Sequence, residues 1–457
     1  MNESKHIYDY LVVGGGAAGY FSAICYFHFG KKFSSGDQKD ANSHKVLILE
    51  AGRRVLTKVK VSGGGRCNVT HHEFEPKTLV NHYPRGGKSL TGGFFHFSPK
   101  DMMEFLNACG VDLKTEKDGR VFPVSDSSQT IIDCFKRVAK DYGVELKLGM
   151  KVSKISKSSL DGTFKLKTTR GEEFKAKNVL LATGSIADSY SLCESLGHEI
   201  VAPVPSLFTF KIDDTLIQDL PGTSVQNVAV KLFTHPIESQ TKGVAEATEV
   251  NEGLQMKGKS DSERPFYKGQ GPLLVTHWGL SGPAVLKASA FGARELHASG
   301  YKAILKVDFL PDLNQQRAIE RLQECRNTQK PNQMRKFSPF ESISKKLWAR
   351  FLDVCDIKED MKWSEVSNAI VRDVVQAMKG YHFKVDGKGV FKEEFVTSGG
   401  VDLASIDLKT MMSRKVEGLY FAGELTNVDG VTGGFNFQNA WTSAYLAAVS
   451  AAQSKEG

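Results

Sequence analysis

The sequence predicts an α/β protein in which the two ends of the chain build one parallel-sheet domain. Near the N-terminus an apolar run breaks into glycines and a small-residue helix, DYLVVGGGAAG at 9–19. A second apolar run, VLIL at 46–49, ends on Glu50. A third run, at 418–422, leads towards paired glycines and a final helix. Continuous apolar runs of this length are typical of strands buried in parallel sheets.

The first glycine-rich turn has the spacing of a dinucleotide-binding loop. Gly14 and Gly16 would let the backbone turn tightly against a pyrophosphate, and Gly19 would let the next helix pack close to its strand. The turn follows a predicted strand and opens a predicted helix at Ala17, which is the context the motif requires. The N–H groups at the start of that helix favour a phosphate bridge. The alternative is an ordinary strand-to-helix turn.

Glu50 ends the second predicted strand, where the ribose of a bound dinucleotide would lie. Its carboxylate can accept hydrogen bonds from the ribose hydroxyls and would repel a 2′-phosphate, which favours FAD or NAD over NADP. A polar stretch at 31–45 accounts for the long spacing between the glycines and Glu50.

A second glycine loop, at 63–65, lies in a basic stretch. The basic residues around it are Arg53, Arg54, Lys58, Lys60 and Arg66. Basic side chains beside flexible backbone suit a polyanionic ligand, and the alternative is a solvated basic loop. Cys67 follows Arg66 and is either a low-pKa thiolate, a flavin neighbour or a buried structural residue.

Helices and strands follow one another between residues 98 and 181. Helices are predicted at 98–110 and 128–142, and three strands at 145–181. The last strand closes on Ala182, Thr183 and Gly184, whose small side chains let backbone approach whatever the first glycine loop holds.

From residue 201 onwards the composition changes, which predicts two inserted domains. Strands of a different sheet are predicted at 201–311, with a polar loop at 237–270, and only helices at 312–379. The predicted boundaries assign 1–200 and 397–457 to the dinucleotide-binding domain, 201–311 and 380–396 to a β-rich substrate domain, and 312–379 to a helical insert.

The helical insert is basic. Between 314 and 350 it has nine Lys and Arg against three Glu, the basic positions being 317, 321, 326, 330, 335, 336, 345, 346 and 350. Two interpretations stay open: a surface that faces nucleic acid, or a solvated helical face balanced by the acidic residues at 353–360.

Composition excludes several classes of protein. The 457 residues leave room for two or three domains, and 40% hydrophobic and 25% charged residues are typical of a globular protein. No stretch approaches the roughly 18 to 20 apolar residues of a membrane span, and no signal or transit peptide is evident, so a cytoplasmic protein is expected. The seven cysteines form no C-x-x-C pair and the histidines no cluster, so no disulfide framework or metal site is predicted.

The C-terminal segment FAGELTNVDGVTGGFNFQNA completes a set of motifs that run in order along the chain. Together with VVGGGAAG, SGGGRCNVT, GRVFPVS, LLATG, THWGLSGPAVL and VTSGGV, it resembles the aminoacetone-oxidase-like family of FAD-dependent oxidoreductases, within the two-dinucleotide-binding-domain flavoproteins. The resemblance implies FAD as cofactor. It also implies a discontinuous Rossmann-like FAD-binding domain with an inserted β-rich domain and a small helical domain.

The resemblance further implies cofactor contacts along the whole chain. It places at the pyrophosphate and adenosine ribose Gly14, Gly16, Ala17, Ala18, Gly19 and Glu50. It places along FAD Lys58, Gly64, Gly65, Arg66, Cys67 and Asn68, with Val152 at the adenine. We also expect the end of the last strand predicted at 145–181, at Ala182, Thr183 and Gly184, to contact the cofactor, because backbone there comes close to the first loop. Near the ribityl chain and flavin ring it places Gly423, Glu424, Asp429, Gly434, Phe435 and Asn436.

The predicted activity is hydride transfer between a small organic substrate and flavin N5, with oxygen or a carrier as the final acceptor. There is no second G-x-G-x-x-G, so no separate nicotinamide domain is predicted. One alternative is a reductase of an unsaturated or carbonyl substrate that binds NAD(P)H transiently. The other is a flavin-bearing nucleic-acid-binding protein that uses the basic insert. No residue stands out as the catalytic base; His277, Ser281 and Tyr83 are candidates for which a structural role is the alternative. The sequence does not predict the oligomeric state.

Overall fold

The computed structural model describes residues 6–30, 44–234, 264–389 and 396–454. The chain divides into two compact units, Met1–Pro203 with Val396–Gly457, and Val204–Phe395. The predicted fold class, α/β with a Rossmann-type domain and further β-rich sheets, is confirmed. Most of the predicted polar stretches 31–45 and 237–270 lies outside the described residues, and the end of the second was wrong, because 267–270 already belong to a strand.

The strands follow in chain order. They are β1 Ile7–Val13, β2 Val46–Glu50, β3 Thr70–His71, β4 Leu113–Thr115, β5 Arg120–Pro123, β6 Glu145–Leu148, β7 Val152–Lys157, β8 Phe164–Thr168, β9 Glu173–Leu181, β10 Ile200–Ser206, β11 Phe210–Lys211, β12 Ser224–Thr234, β13 Tyr267–Thr276, β14 Gly279–Ser281, β15 Lys302–Asp308, β16 Tyr381–Asp386, β17 Val396–Val401, β18 Ile406–Asp407, β19 Met412–Ser413 and β20 Leu419–Phe421.

The α-helices of the described residues are listed in the same way. They are α1 Ala17–Cys25, α2 Thr57–Val61, α3 Pro76–Leu79, α4 Thr91–His96, α5 Pro99–Ala108, α6 Ser128–Asp141, α7 Ala187–Ser195, α8 Pro283–Phe291, α9 Ala293–Ala298, α10 Gln315–Thr328, α11 Lys345–Val354, α12 Asn368–Gly380 and α13 Phe435–Gln453. Among them, none combines the length and apolar character that crossing a bilayer requires.

The main sheet of the first unit joins both ends of the chain. Its order is β18-β19-β20-β9-β1-β2-β6, with β8 also paired to β9 and β7 to β8. β1 is parallel to β2 and β9, so that Tyr10 lies opposite Val46 and Asn178. β20 is parallel to β9 on the other side. The three apolar runs of the sequence are therefore the centre of one sheet, and the loops at their carboxyl ends meet at one edge.

An aromatic cluster fills the space between α1, α5, α6 and α13. The ring of Phe21, in α1, is fully buried. Its centroid lies 5.2 Å from Phe105, 5.4 Å from Trp441 and 5.9 Å from Phe135. The helix that follows the first glycine loop is thereby fixed by elements from three other parts of the chain.

The second unit is built on an antiparallel sheet of order β11-β14-β13-β12-β15-β16. Its buried residues form one continuous cluster that includes Leu305 in the sheet and Trp348, in α11, within the predicted helical insert. Nothing in this packing settles where a β-rich domain would end and a helical domain begin, so the predicted domain boundaries stay a prediction.

Truncation of Phe21 tests the aromatic cluster. We expect Phe21→Ala to lower the free energy of unfolding by about 3–5 kcal/mol, because the cavity would lie among packed rings. Phe95→Ala is the matched control, since 63% of Phe95 is exposed and a surface substitution changes stability by about 0.5 kcal/mol or less. Urea unfolding followed by circular dichroism measures both, and equal losses would contradict the cluster as the core of this unit.

Candidate cofactor-binding site

The first glycine loop connects β1 to α1 and combines a tight contact with open space. Gly14 has φ +109°, and a Cβ there would lie 2.5 Å from the carbonyl oxygen of Ala182. A Cβ at Gly19 would lie 1.9 Å from the carbonyl oxygen of Gly14. At Gly16, in contrast, a Cβ would meet no described atom within 4 Å. Two glycines of the motif thus serve the protein's own packing, and the third leaves room for a ligand.

The N-terminus of α1 faces this open position. Gly16 is its N-cap residue, no described side chain caps it, and its first turn contains no acidic residue. Its first N–H groups and the positive end of the helix dipole are therefore available to an anion. Ala17 and Ala18 form the first turn, and a Cβ on Gly423 would lie 3.0 Å from that of Ala18. The C-terminal part of the site is therefore close to the first loop.

Glu50, at the end of β2, is oriented by two backbone amides. Its carboxylate accepts hydrogen bonds from Gly15 N at 2.7 Å and Gly52 N at 2.6 Å. A carboxylate offers about four acceptor positions, so acceptor capacity is left for ribose hydroxyls. Met150 N also donates to the Glu50 carbonyl at 2.8 Å, which brings the start of β7, at Val152, to the end of β2.

The second glycine loop is also open. Gly64 and Gly65 have φ +69° and +85°, and a Cβ on either would meet no described atom within 4 Å. Arg66 does not extend freely from this loop, because it donates to Glu116 at 2.7 Å and its guanidinium lies 3.9 Å from the ring centroid of Phe122. The hydrogen bond to Glu116 raises the pKa of Arg66.

Cys67 is fully buried. Burial raises the pKa of its thiol to about 12, against a smaller opposing effect of a hydrogen bond with Ser62. Burial therefore disfavours a thiolate at Cys67, and its role as a neighbour of the cofactor stays a prediction.

Lys58, Glu424 and the end of β9 come together. Lys58 Nζ donates to Glu424 Oε2 at 2.5 Å, and Glu424 Oε1 accepts from Thr397 N at 3.2 Å. A Cβ on Gly184 would lie 4.0 Å from Glu424 Oε2. The buried Thr183 hydroxyl has no hydrogen-bond partner among the described residues, so it has capacity left for a ligand.

Asp429 is fully buried and is bound by an arginine that the sequence analysis missed. Arg85 Nε donates to Asp429 Oδ1 at 2.6 Å, and Nη2 to Oδ2 at 2.5 Å. The side chain of Asn436 closes the same loop, since it accepts from Gly430 N and donates to the Gly430 carbonyl, both at 2.8 Å. These contacts fix the loop that leads into α13. No residue type or spacing near YPRGG marks Arg85 in the sequence.

The N-terminus of α13, like that of α1, has no side-chain cap among the described residues. Gly434 precedes it with φ +93°, and a Cβ there would lie 2.5 Å from the carbonyl oxygen of Thr70. In the amide orientation that satisfies its neighbours, Asn68 accepts from Gly434 N at 3.0 Å. The predicted residues of the SGGGRCN and VTGGFN motifs therefore meet at this helix end.

Two histidines that the sequence analysis did not select contact Phe435, the first residue of α13. The ring centroid of Phe435 lies 4.1 Å from that of His82 and 4.7 Å from that of His71. His71 Nε2 lies 3.0 Å from the carbonyl oxygen of Asp118, so it donates there. Burial lowers the pKa of His71, which keeps the ring neutral at pH 7. The tripeptide THH after the RCNV segment is a signal that could have marked His71; His82 has no comparable signal in the sequence.

The three candidate catalytic residues take different places. Tyr83 is buried, its hydroxyl donates to the Phe435 carbonyl at 2.7 Å, and burial raises its pKa well above the usual value, which disfavours it as a base. In the second unit, Ser281 Oγ accepts from Thr209 at 3.0 Å, and His277 is exposed in the turn between β13 and β14.

The chain matches a known protein family over nearly its whole length. A family model described as HI0933-like protein Rossmann domain matches residues 8–450, and the chain belongs to this family. It is an FAD-dependent oxidoreductase, and FAD is its cofactor. The open glycines, the uncapped helix ends and the unpartnered Thr183 hydroxyl fit such an extended anionic group. The contact assigned to each single residue stays a proposal.

Individual relatives are similar over nearly their full lengths. The ribosomal RNA dihydrouridine synthase of Haemophilus influenzae (strain ATCC 51907 / DSM 11121 / KW20 / Rd) is 27% identical over 96% of this chain and 97% of its own. The 3-dehydro-bile acid delta(4,6)-reductase of Clostridium scindens is 26% identical over 97% and 98%. The 3-ketosteroid-delta4-(5alpha)-dehydrogenase structure from Rhodococcus jostii RHA1 has a TM-score of 0.49 at 15% identity, covering 99% and 98% of the chains.

Substitution of Gly16 tests the first loop. Gly16 has φ −81° and ψ −166°, which valine adopts without strain, and its Cβ would point into open space. We therefore expect Gly16→Val to fold normally and to lose most of its FAD, measured as the ratio of flavin to protein absorbance. Gly92→Val, at another open glycine, is the control and should stay yellow. Full FAD content in Gly16→Val would contradict the loop assignment.

Two ion pairs of the site, Arg85–Asp429 and Lys58–Glu424, differ in burial, and this gives a second prediction. Asp429→Ala leaves Arg85, 13% exposed, without its carboxylate, and we expect a loss of about 3–5 kcal/mol in the free energy of unfolding. Lys58→Met should have a much smaller effect, because 63% of Lys58 is exposed. Chemical denaturation of both variants, with FAD content recorded, is the measurement. A similar small loss for both would show that the buried pair is not structural.

Proposed function

We propose that this chain is an FAD-dependent reductase that saturates a carbon–carbon double bond conjugated to a carbonyl group. The observation that carries the proposal is the shared chemistry in the names of two relatives that align over nearly the whole chain. Dihydrouridine is uridine with its ring double bond saturated, and a delta(4,6)-reductase of a 3-dehydro steroid acts on bonds conjugated to a ketone. The alternative of an NAD(P)H-dependent reductase of an unsaturated substrate is thereby favoured for this chain.

The first unit would hold the cofactor through backbone groups at the pyrophosphate and through the Glu50 carboxylate at the ribose. FAD, when bound, supplies hydride transfer at flavin N5. The loop from Gly14 to Gly19 and the N-terminus of α1 would bind the pyrophosphate, and Glu50 the ribose. The uncapped N-terminus of α13 favours negative charge nearby by about 0.3–2 kcal/mol, which suits the pyrimidine edge of a flavin. These contacts position the ring; they do not supply a proton.

Oxidation of a small substrate is the second candidate. In this direction a small amine of the aminoacetone kind would be the hydride donor, and oxygen or a carrier the final acceptor. The absence of a second G-x-G-x-x-G from the sequence supports it, because no separate nicotinamide-binding domain is then needed.

The substrate with the conjugated double bond would be either a small molecule or a uridine in RNA. RNA is supported by the name of one relative and by the surface of the second unit. Lys345 and Lys346 are exposed in the first turn of α11, where the helix dipole makes positive charge unfavourable by about 0.3–1 kcal/mol. Stability of the helix therefore does not explain them, whereas phosphate binding does.

Other basic residues of the insert are neutralised within the protein. Arg335 and Arg350 form ion pairs with Asp353, and Arg350 also with Asp219. Arg321 is paired with Glu324. The balance by the acidic residues at 353–360, proposed from the sequence, therefore applies to Arg335 and Arg350. Lys345 and Lys346 are the better choice for a test of RNA binding.

Anaerobic stopped-flow mixing distinguishes the two directions. We expect NADH or NADPH to bleach the flavin absorbance, and an added enone or a uridine-containing RNA to restore it. A small enone that restores colour, with RNA inactive, identifies a small-molecule substrate, and the converse identifies RNA. Bleaching by aminoacetone and recovery only with oxygen would contradict the reductase and support the second candidate.

Charge reversal in α11 tests the RNA surface. We expect Lys345→Glu with Lys346→Glu to weaken RNA binding and to reduce the slope of log affinity against log salt by about 1.4–1.8, because each lost phosphate contact contributes about 0.7–0.9. Lys154→Glu with Lys167→Glu, on neighbouring strands of the first unit, makes the same change in net charge and is the control. Equal effects of both double variants would indicate non-specific attraction.

A further inference from the structure

One face of the meander formed by β7, β8 and β9 is built mainly from lysines. The strands pair antiparallel, β7 with β8 and β8 with β9, and alternate side chains point to opposite faces of such a sheet. The inner face carries the buried Ile155, Leu166 and Phe174. The outer face, called the lysine face below, carries five exposed lysines and one glutamate: Lys154, Lys165, Lys167, Lys175, Lys177 and Glu173.

The strand register places like charges directly opposite one another on this face. Lys154 in β7 lies opposite Lys167 in β8. Lys165 in β8 lies opposite Lys175 in β9. Like charges in directly opposed positions destabilise a sheet. The stability of the meander therefore does not explain these lysines, whereas an anionic partner outside the chain does.

Carboxylates within the protein neutralise only part of the lysine face. Lys165 forms an ion pair with Glu173 at 2.7 Å, and Lys177 forms one with Asp9 at 2.9 Å. Among the described residues, no ion pair involves the other three lysines of this face, Lys154, Lys167 and Lys175. Positive charge is thus left over at the centre of the face, where the opposed lysines lie.

The hairpin between β7 and β8 holds an apolar side chain away from the fold. Leu160 is 98% exposed, and no other large apolar side chain of the described residues exceeds 63%. The tip is hydrogen-bonded, since Leu160 N donates to Ser158 Oγ at 3.3 Å and Gly162 N to the Ser158 carbonyl at 3.1 Å. Asp161, the carboxylate at the tip, accepts from Thr163 N at 3.1 Å and Oγ1 at 2.8 Å. That carboxylate is therefore engaged within the turn.

A nucleic acid and an anionic lipid surface are the two polyanions that suit a face of lysines. Leu160 favours the lipid, because an apolar side chain is stabilised at the boundary between headgroups and acyl chains. Proteins that bind single-stranded nucleic acid usually stack bases on exposed aromatic rings. The aromatic residues of these three strands, Phe164 and Phe174, are buried. The face thus has the charge for either partner and the apolar group for a bilayer.

We propose that the lysine face and Leu160 bind the surface of a membrane that contains anionic lipids. The lysines would lie at the headgroups, where positive side chains are attracted within about 10 Å at moderate salt. Leu160 would enter the headgroup and acyl boundary from the hairpin tip. Binding of this kind is peripheral and needs no helix that crosses the bilayer. The proposal uses none of the residues assigned to the cofactor and does not rest on the proposed reaction.

Sedimentation of the full-length, FAD-loaded protein with vesicles tests the lysine face. We expect binding to phosphatidylcholine vesicles only when they contain about 30% phosphatidylserine, and release on raising the salt from about 0.05 M to about 0.5 M. Lys154→Glu with Lys167→Glu should weaken binding at least about 25-fold, because each lysine near an anionic surface contributes about fivefold. Lys345→Glu with Lys346→Glu makes the same change in net charge and should bind as the wild type. Absence of binding, equal binding to both kinds of vesicle, or equal weakening in both double variants would overturn the proposal.

A neutral substitution tests insertion of the hairpin tip. We expect Leu160→Ser to weaken vesicle binding about tenfold, because the apolar contact is lost while the charge is unchanged. Phe95→Ser is the matched control, since Phe95 is 63% exposed in α4, and should bind as the wild type. Circular dichroism and flavin absorbance check that each variant is folded and loaded. Wild-type affinity in Leu160→Ser, or a uridine-containing RNA that competes with the vesicles through Lys154 and Lys167, would contradict a membrane as the partner.

Discussion

The structure of the first unit depends on places where one backbone segment touches another without an intervening side chain. Gly14 lies against the Ala182 carbonyl, Gly434 against that of Thr70 and Gly400 against that of Leu425, and a Cβ at any of them would come within 2.4–2.5 Å of the oxygen. All three have positive φ. These contacts bring the ends of β1 and β9 and the start of α13 to one edge of the sheet, and larger residues would separate them.

The charged groups around this edge are held by partners within the protein. Glu50 is bound by two backbone amides, Asp429 by Arg85, and Arg66 by Glu116. The N-termini of α1 and α13 differ, since no described side chain caps them. These helix ends contribute positive potential at the site, and they are rigid and need no reorganisation when an anionic cofactor binds.

The two units contain different functional residues. The first unit contains the proposed cofactor contacts, which come from several distant segments of the chain. The second unit contains the exposed lysines of α11 and an extended buried cluster of its own. The family assignment fixes FAD and the oxidoreductase class.

The sequence alone determined the fold class, the first glycine loop and the helix and strand bounds near it, because each depends on local residue patterns. The apolar runs before Gly14 and after Gly418 are strands of one sheet, with β9 between them, and the capping serine before α5 begins that helix as expected. Only the tertiary structure decided that Arg85 binds Asp429 and that Cys67 is buried. These facts depend on contacts between residues tens to hundreds of positions apart, and no local pattern encodes which distant side chain will lie beside a given one.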